Sequence, residues 1–239
     1  MFLNRFLLLL VLTTIAASAT AATPSAASIS YDLFRNGTHI GVINENFEVK
    51  DGIYHATSEA SAVGLFALAQ RRPITYTSTG ESTEEGLRPT RFEGRRNNSI
   101  STAEFDWISA KLTMIHDGQN QTVALPPATQ DRLSAMYQLM YLVQAKPPMM
   151  PMTGTLEFAM TTGRKLDRYR YDIHLDVVID TPLKRLATLH LVKRREDSGD
   201  SGTEVWLAAE YHYLPVKVVI VESSGVRYEQ VVTRLDFQL

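Results

Sequence analysis

The chain has 239 residues, of which 44% are hydrophobic and 21% charged, and its formal net charge is −2 at pH 7. These values are typical of a folded globular protein and exclude a disordered chain. They also exclude the strongly basic surface of a nucleic-acid-binding domain, so we expect no nucleic-acid partner. The sequence has no cysteine, which rules out thiolate metal sites, a cysteine nucleophile and lipid attachment to an N-terminal cysteine.

The N-terminus has the layout of a secretory signal peptide. Arg5 precedes an unbroken apolar run over residues 6–12, and Ala17, Ser18 and Ala19 form a small-residue cleavage site. The run is much shorter than the roughly 20 residues that span a bilayer as a helix. We therefore predict that residues 1–22 are a signal peptide, and that the mature protein is periplasmic with no transmembrane anchor. Cleavage could follow Ala19, Ala21 or Ala22.

Most of the mature chain alternates between apolar and polar residues. Strands predicted at 29–35, 40–49 and 53–62 are separated by the turn pairs Asn36-Gly37 and Asp51-Gly52. The same pattern continues to Asp117-Gly118, and it resumes from residue 155 to the C-terminus. The sequence therefore predicts a mainly β fold with about eleven long strands. We expect these strands to form an antiparallel curved sheet or a partly open β-barrel, because a flat sheet would leave exposed edges.

One segment follows a helical period instead. Between residues 131 and 144 the apolar side chains recur at i, i+3, i+4, i+7 and i+8, which predicts one amphipathic helix. Proline pairs precede and follow it, and Thr129 or Asp131 can cap its N-terminus. The predicted face that packs on the sheet contains Leu133, Met136, Tyr137 and Met140. We expect residues 29–239 to form a single β-rich domain.

Five short blocks, in this order, resemble a family of exported bacterial proteins known as domain of unknown function 3108. The resemblance covers about residues 31–239. It implies a bacterial, exported, β-rich protein, and it implies no activity because the family has none established. The blocks are GLRPTRF at 86–92, FDW at 105–107, QDRLS at 130–134, VWLA at 205–208 and YLPV at 213–216.

The sequence shows no recognisable catalytic or metal-binding constellation. Its six histidines are scattered without a paired ligand spacing, and there is no Gly-x-Ser-x-Gly elbow or phosphate-binding glycine loop. We therefore name no catalytic residue, metal ligand or cofactor. A catalytic pair formed by residues distant in the sequence stays open.

Two apolar segments break the strand pattern, at residues 63–69 and 147–152. Loops normally lie on the surface, so an apolar loop either tucks into a core or forms a patch for a partner. The second segment is rich in methionine, which suits irregular apolar surfaces. One interpretation is that both segments rim a ligand-binding opening, and the other is that they plug the ends of a barrel. The candidate ligand-binding residues are Leu65, Phe66, Leu68, Arg71, Arg72, Met149, Met150 and Met152.

Three functions remain compatible with these features. The first is a non-catalytic binding or carrier module for a lipid or another hydrophobic ligand. The second is a structural protein that docks on an envelope protein, and the third is a hydrolase with unrecognised residues. A large internal cavity would favour the first, an apolar outer patch the second, and a polar cleft with shifted titratable groups the third.

Overall fold

The computed structural model describes residues 23–145, 154–195, 197 and 199–239. The predicted signal peptide and the candidate site residues Met149, Met150 and Met152 lie outside this part of the chain.

The described chain contains fifteen strands and two α-helices, α1 (Phe66–Ala69) and α2 (Ser134–Gln144), with a short 3-10 helix at Ala209–Tyr211. The strands are β1 (Ala26–Arg35), β2 (Thr38–Lys50), β3 (Ile53–Ala62), β4 (Ile74–Thr83), β5 (Gly86–Arg96), β6 (Ser99–Asp106), β7 (Lys111–His116), β8 (Gln119–Ala124), β9 (Gln130–Asp131), β10 (Thr155–Thr161), β11 (Leu166–Asp180), β12 (Arg185–Lys193), β13 (Gly202–Ala208), β14 (Leu214–Val221) and β15 (Arg227–Gln238).

All fifteen strands belong to one sheet built from two meanders. In the first, β1 to β8 pair in sequence order; in the second, β10 to β15 do the same. The first strand β1 pairs antiparallel with the last strand β15 and joins the two halves. The sheet edges are β8 and β9, which do not pair with each other, so the sheet is open.

Three hairpin turns have the predicted sequences and conformations. At Asn36-Gly37, Asp51-Gly52 and Asp117-Gly118 both residues have positive φ, between 46° and 83°. This conformation is the one that two-residue hairpins require, and asparagine, aspartate and glycine adopt it most readily. These turns set the register of β1–β2, β2–β3 and β7–β8.

The helix α2 is enclosed by the curved sheet. The predicted buried positions Leu133, Tyr137 and Met140 lie in the larger hydrophobic core, which the first meander lines together with residues of the second, whereas Met136 is half-buried. The opposite side is also covered, because Ala135, Leu139 and Val143 pack against strands of the second meander. The helix begins at Ser134, three residues later than predicted, and the Asp131 carboxylate accepts the backbone N–H groups of Leu133 and Ser134 at 2.8 and 2.9 Å.

The two halves approach each other across the open side of the sheet. The Thr161 hydroxyl, at the end of β10, contacts the Met114 sulfur of β7 at 3.1 Å. The following turn packs so closely that a Cβ at Gly163 would lie 3.1 Å from the Cβ of Ser101. The predicted class, a mainly β curved sheet or partly open barrel, is confirmed. The expected number of about eleven strands is lower than the fifteen observed.

Some of the sequence blocks contact one another in the structure. The Gln138 side chain accepts the N–H of Leu87 at 2.6 Å, and the Gln130 amide donates to the Leu87 carbonyl at 2.8 Å. The Trp107 indole donates to the Pro89 carbonyl at 2.6 Å. The blocks GLRPTRF, FDW and QDRLS therefore meet around β5, and the bond from Gln138 anchors the helix to the first meander.

Candidate ligand-binding site

A cavity of about 210 Å³ lies between the two halves of the sheet and the first turn of α2. We call the end of the sheet at which it opens the mouth end; this end carries the β1–β2, β3–β4 and β10–β11 turns. The wall is largely apolar and aromatic. Its principal residues are Ile43, Glu45, Ser58, Ala60, Tyr76, Arg132, Leu133, Met136, Met160, Tyr169, Tyr171, Val218 and Ile220.

Glu45 is a carboxylic acid in the interior wall of this cavity. On β2 it alternates in phase with Ile43 and Phe47, so its side chain points inward with theirs. The Tyr137 hydroxyl donates to it at 3.4 Å. Burial raises the pKa of Glu45 to about 7, although hydrogen bonds from Ser58 and Tyr137 and the charge of Arg132 oppose the rise. At neutral pH the group therefore exists in both charged and neutral forms.

Arg132 lies where the cavity meets the mouth end. Its guanidinium stacks over the ring of Tyr76 at 4.3 Å and donates to the Tyr76 hydroxyl at 2.9 Å. The side chain is half-buried, and it lines both the cavity and a second cleft outside it. The site is therefore amphipathic, with an apolar interior, one internal acid and a cation at its opening.

The adjacent acid Asp131 has a structural role. It is fully buried, and it accepts a hydrogen bond of 2.5 Å from Ser78, whose hydroxyl also bonds with Tyr54 at 2.8 Å. Burial raises the pKa of Asp131, and the bonds from Ser78 and from the helix N-terminus oppose that rise. These partners occupy the carboxylate and fix the start of α2 against β3 and β4.

The structure places the predicted loop residues at the mouth end but not in the cavity wall. Leu65, Phe66 and Leu68 are 83%, 42% and 71% exposed, so this segment does not plug the interior. Arg71 and Arg72 are exposed as well. The Gln70 amide donates to Asn97 at 2.7 Å and holds the loop beside the β5–β6 turn.

The second predicted segment, with Met149, Met150 and Met152, lies outside the described residues. The residues that flank it, Ala145 and Gly154, are at the end of the sheet opposite the mouth end, where α2 ends and β10 begins. The assignment of both segments to one ligand site stays a prediction.

The interior residues of the site were missed by sequence analysis. Glu45 could have been found from its strand, because it is an acid in the apolar phase of an alternating segment. Arg132 was recognised only as part of a helix start. Its position at the opening depends on the approach of α2 to β4, which no local pattern reports. Within the described ranges, no three His, Asp or Glu side chains form a possible metal site.

A family model described as protein of unknown function (DUF3108) matches residues 28–231. The chain belongs to the DUF3108 family. This match confirms the resemblance seen in the sequence blocks. A comparison with curated proteins finds no match.

Two solved structures are similar to this DUF3108 protein. A beta-barrel-like protein of domain of unknown function DUF1849 from Brucella abortus has a TM-score of 0.57 at 10% identity. The alignment covers 92% of this chain and 100% of that one, which supports the barrel-like fold alone. A putative outer membrane lipoprotein-sorting protein domain from Vibrio parahaemolyticus aligns over 90% of this chain and 86% of its own, with a TM-score of 0.27 at 9% identity.

Proposed function

We propose that this DUF3108 protein is an exported, non-catalytic binding module that takes the apolar part of a hydrophobic ligand into its interior. The observation that carries the proposal is the cavity between the curved sheet and α2, with its aromatic and aliphatic wall. Apolar pockets with a few convergent polar groups are the usual form of small-molecule sites. Glu45 and Arg132 are the polar groups here, and they can orient a ligand that has one polar end.

The size of the cavity limits what can enter. Its volume of about 210 Å³ exceeds the roughly 150 Å³ that accepts benzene, but it is below the roughly 300–1,000 Å³ of common ligand pockets. A short alkyl or aromatic segment fits, whereas the rest of a larger ligand would lie outside at the mouth end. The exposed side chains of Leu65, Phe66 and Leu68 provide apolar surface there.

Export to the periplasm is part of the same proposal, and the sequence of residues 1–22 supports it. In the part of the chain that the structure describes, no helix is both long and apolar enough to cross a membrane. An aqueous periplasmic compartment would give a binding module of this kind access to membrane-derived hydrophobic molecules.

Filling the cavity tests the proposal. Ala60 lines the cavity, so Ala60→Leu should lower the affinity for the neutral fluorescent probe N-phenylnaphthylamine by about tenfold or more, without lowering the melting temperature. His55→Leu is the matched control, because His55 is exposed on the outer face of the same strand and its substitution should leave probe binding unchanged.

Other outcomes would overturn the proposal. A wild-type protein that binds no probe, or an Ala60→Leu variant that binds it as wild type does, would remove the cavity as the binding site. Co-purification with a stoichiometric envelope protein in place of ligand would favour a docking function. Turnover of ester substrates that Glu45→Gln abolishes would identify a hydrolase.

A further inference from the structure

A second, polar cleft of about 500 Å³ adjoins the cavity at the mouth end. We call it the basic cleft and define it by Arg96, His116, Arg132 and Arg164 together with the turn at residues 97–99. Tyr76, Arg132 and Thr162 line both the cavity and the basic cleft. A single molecule can therefore occupy both spaces at once.

The basic cleft carries a net positive charge. Among the lining residues that the structure describes there is no aspartate or glutamate. Within the described part of the chain, no carboxylate lies within ion-pair distance of Arg96, Arg132 or Arg164. Several arginines elsewhere on the sheet are paired, as Arg194 is with Asp172 at 2.6 Å and Arg234 with Asp236 at 2.7 Å.

The nearest acid, Asp117, is already engaged by other groups. Its carboxylate accepts hydrogen bonds from the Ser99 hydroxyl at 2.8 Å and from the Ile100 N–H at 3.1 Å. It also lies 3.5 Å from His116, and these interactions hold its pKa below the usual value. Asp117 also interacts electrostatically with Arg164 and so offsets part of the positive charge of the cleft, but it forms no ion pair with any of the three guanidinium groups.

The fold brings these cations together from distant parts of the chain. Arg164 follows Gly163, which adopts a left-handed conformation at φ 76° and packs against β6, so the β10–β11 turn of the second meander reaches the first. Arg96 ends β5 on the other side, and Arg132 precedes α2. The convergence exists only because the sheet is curved enough for its two halves to meet.

We propose that the basic cleft binds the anionic head group, a phosphate or a carboxylate, of an amphiphile whose apolar part occupies the cavity. Guanidinium groups bind the oxygen atoms of both anions through paired, charge-assisted hydrogen bonds. The side chains of Asn97 and Asn98 add neutral hydrogen-bonding groups at the same wall. This inference rests on the proposed function and specifies its ligand class as an anionic amphiphile.

Isothermal titration of the mature protein with octyl phosphate, octanol and inorganic phosphate tests the inference. Octyl phosphate should bind at least about tenfold more tightly than either of the other two, because only it reaches both spaces. Arg164→Ala and Arg96→Ala should each weaken octyl phosphate about tenfold and leave octanol unchanged. Arg234→Ala, which removes an exposed arginine outside the cleft, is the matched control and should change neither affinity.

The results that would overturn the inference differ from those that would overturn the proposed function. If octanol and octyl phosphate bind equally and the arginine variants behave as wild type, the cleft is not a head-group site, although the cavity still binds apolar ligands. If inorganic phosphate binds as tightly as octyl phosphate, the cleft binds free phosphate and the proposal of an amphiphilic ligand is wrong. If neither octyl compound binds, the cavity itself is not a ligand site.

Discussion

Glu45 is the residue whose position is hardest to explain by stability alone. It occupies an inward position of β2 between Ile43 and Phe47, where an apolar side chain would remove the cost of burying a charge. Asp131 is buried too, but its bonds to Ser78 and to the start of α2 give it a structural role. Glu45 instead faces the cavity, where a perturbed acid is a common feature of functional sites.

Glu45→Gln should change how stability depends on pH. Below the ordinary pKa of 4.5 the acid is neutral in both the folded and unfolded states, so its ionisation does not affect stability. As the pH rises to the folded pKa of about 7, the folded protein binds more protons than the unfolded chain, and its free energy of unfolding falls. Above pH 7 the free energy of unfolding of the wild type should have fallen by about 3 kcal/mol relative to that of Glu45→Gln.

Urea unfolding of both proteins at pH 5 and pH 8 measures this difference. Glu48→Gln is the control, because Glu48 is exposed on the same strand and should follow the wild-type profile. Parallel profiles for wild type and Glu45→Gln would show that Glu45 is not buried as an acid.

The helix α2 is the element on which the interior is built. Arg132 and Leu133, which line the cavity, directly precede its first residue. Its last residue, Gln144, donates to the His212 carbonyl at 2.8 Å and accepts from Thr23 at 3.0 Å. Both meanders pack against it, so it has two buried sides rather than the single face of a surface helix. The position of the cavity therefore depends on contacts along the whole helix.

Leu139→Ala should lower the free energy of unfolding by about 2–5 kcal/mol, and we expect the same range for Leu133→Ala. Leu139 is fully buried against the second meander although it lies off the predicted apolar face. Chemical denaturation measures both variants, with Leu142→Ala as the control because Leu142 is only partly buried. A loss below about 0.5 kcal/mol for Leu139→Ala, the range of surface substitutions, would mean that the second meander does not cover the helix.

At the scale of the whole molecule, the pairing of β1 with β15 joins the two ends of the described chain. The Tyr31 hydroxyl on β1 adds a buried hydrogen bond to the Pro215 carbonyl on β14 at 2.9 Å. The backbone hydrogen bonds between the two ends of the chain begin at Ser25, whose N–H donates to the Gln238 carbonyl at 2.8 Å. Contacts between such distant residues fix the curvature that creates the mouth end.

Signal-peptide cleavage should leave this pairing intact. Protein isolated from the periplasm should begin between Thr20 and Thr23, because the small residues around Ala19 fit a signal peptidase and the sheet starts only afterwards. N-terminal sequencing measures the start. Replacing Ala19, Ala21 and Ala22 with leucine should leave the precursor uncleaved, and a wild-type protein that retains Met1 would contradict the export proposal.

Sequence analysis predicted the elements better than the site. The Asn-Gly and Asp-Gly turns and the alternating strands are local features, so the hairpins were predicted at their observed positions. The helix was also predicted, but its second buried side was not, because Leu139 falls outside a single helical face. From its apolar composition, the loop at Leu65 was predicted either to rim a ligand-binding opening or to plug a barrel end. The structure shows it exposed at the mouth end.

The sequence by itself determined the mainly β class, the turns, the helix and the family. Each of these follows from residues close together in the chain, whose periodicity and backbone preferences act locally. Only the tertiary structure decided the interior site. Glu45, Arg132 and Arg164 come from a strand, a helix start and a turn that are far apart in sequence, and they converge because the two meanders curve around α2. A single sequence does not encode that curvature in any one segment, because it results from the summed twist and packing of the whole sheet.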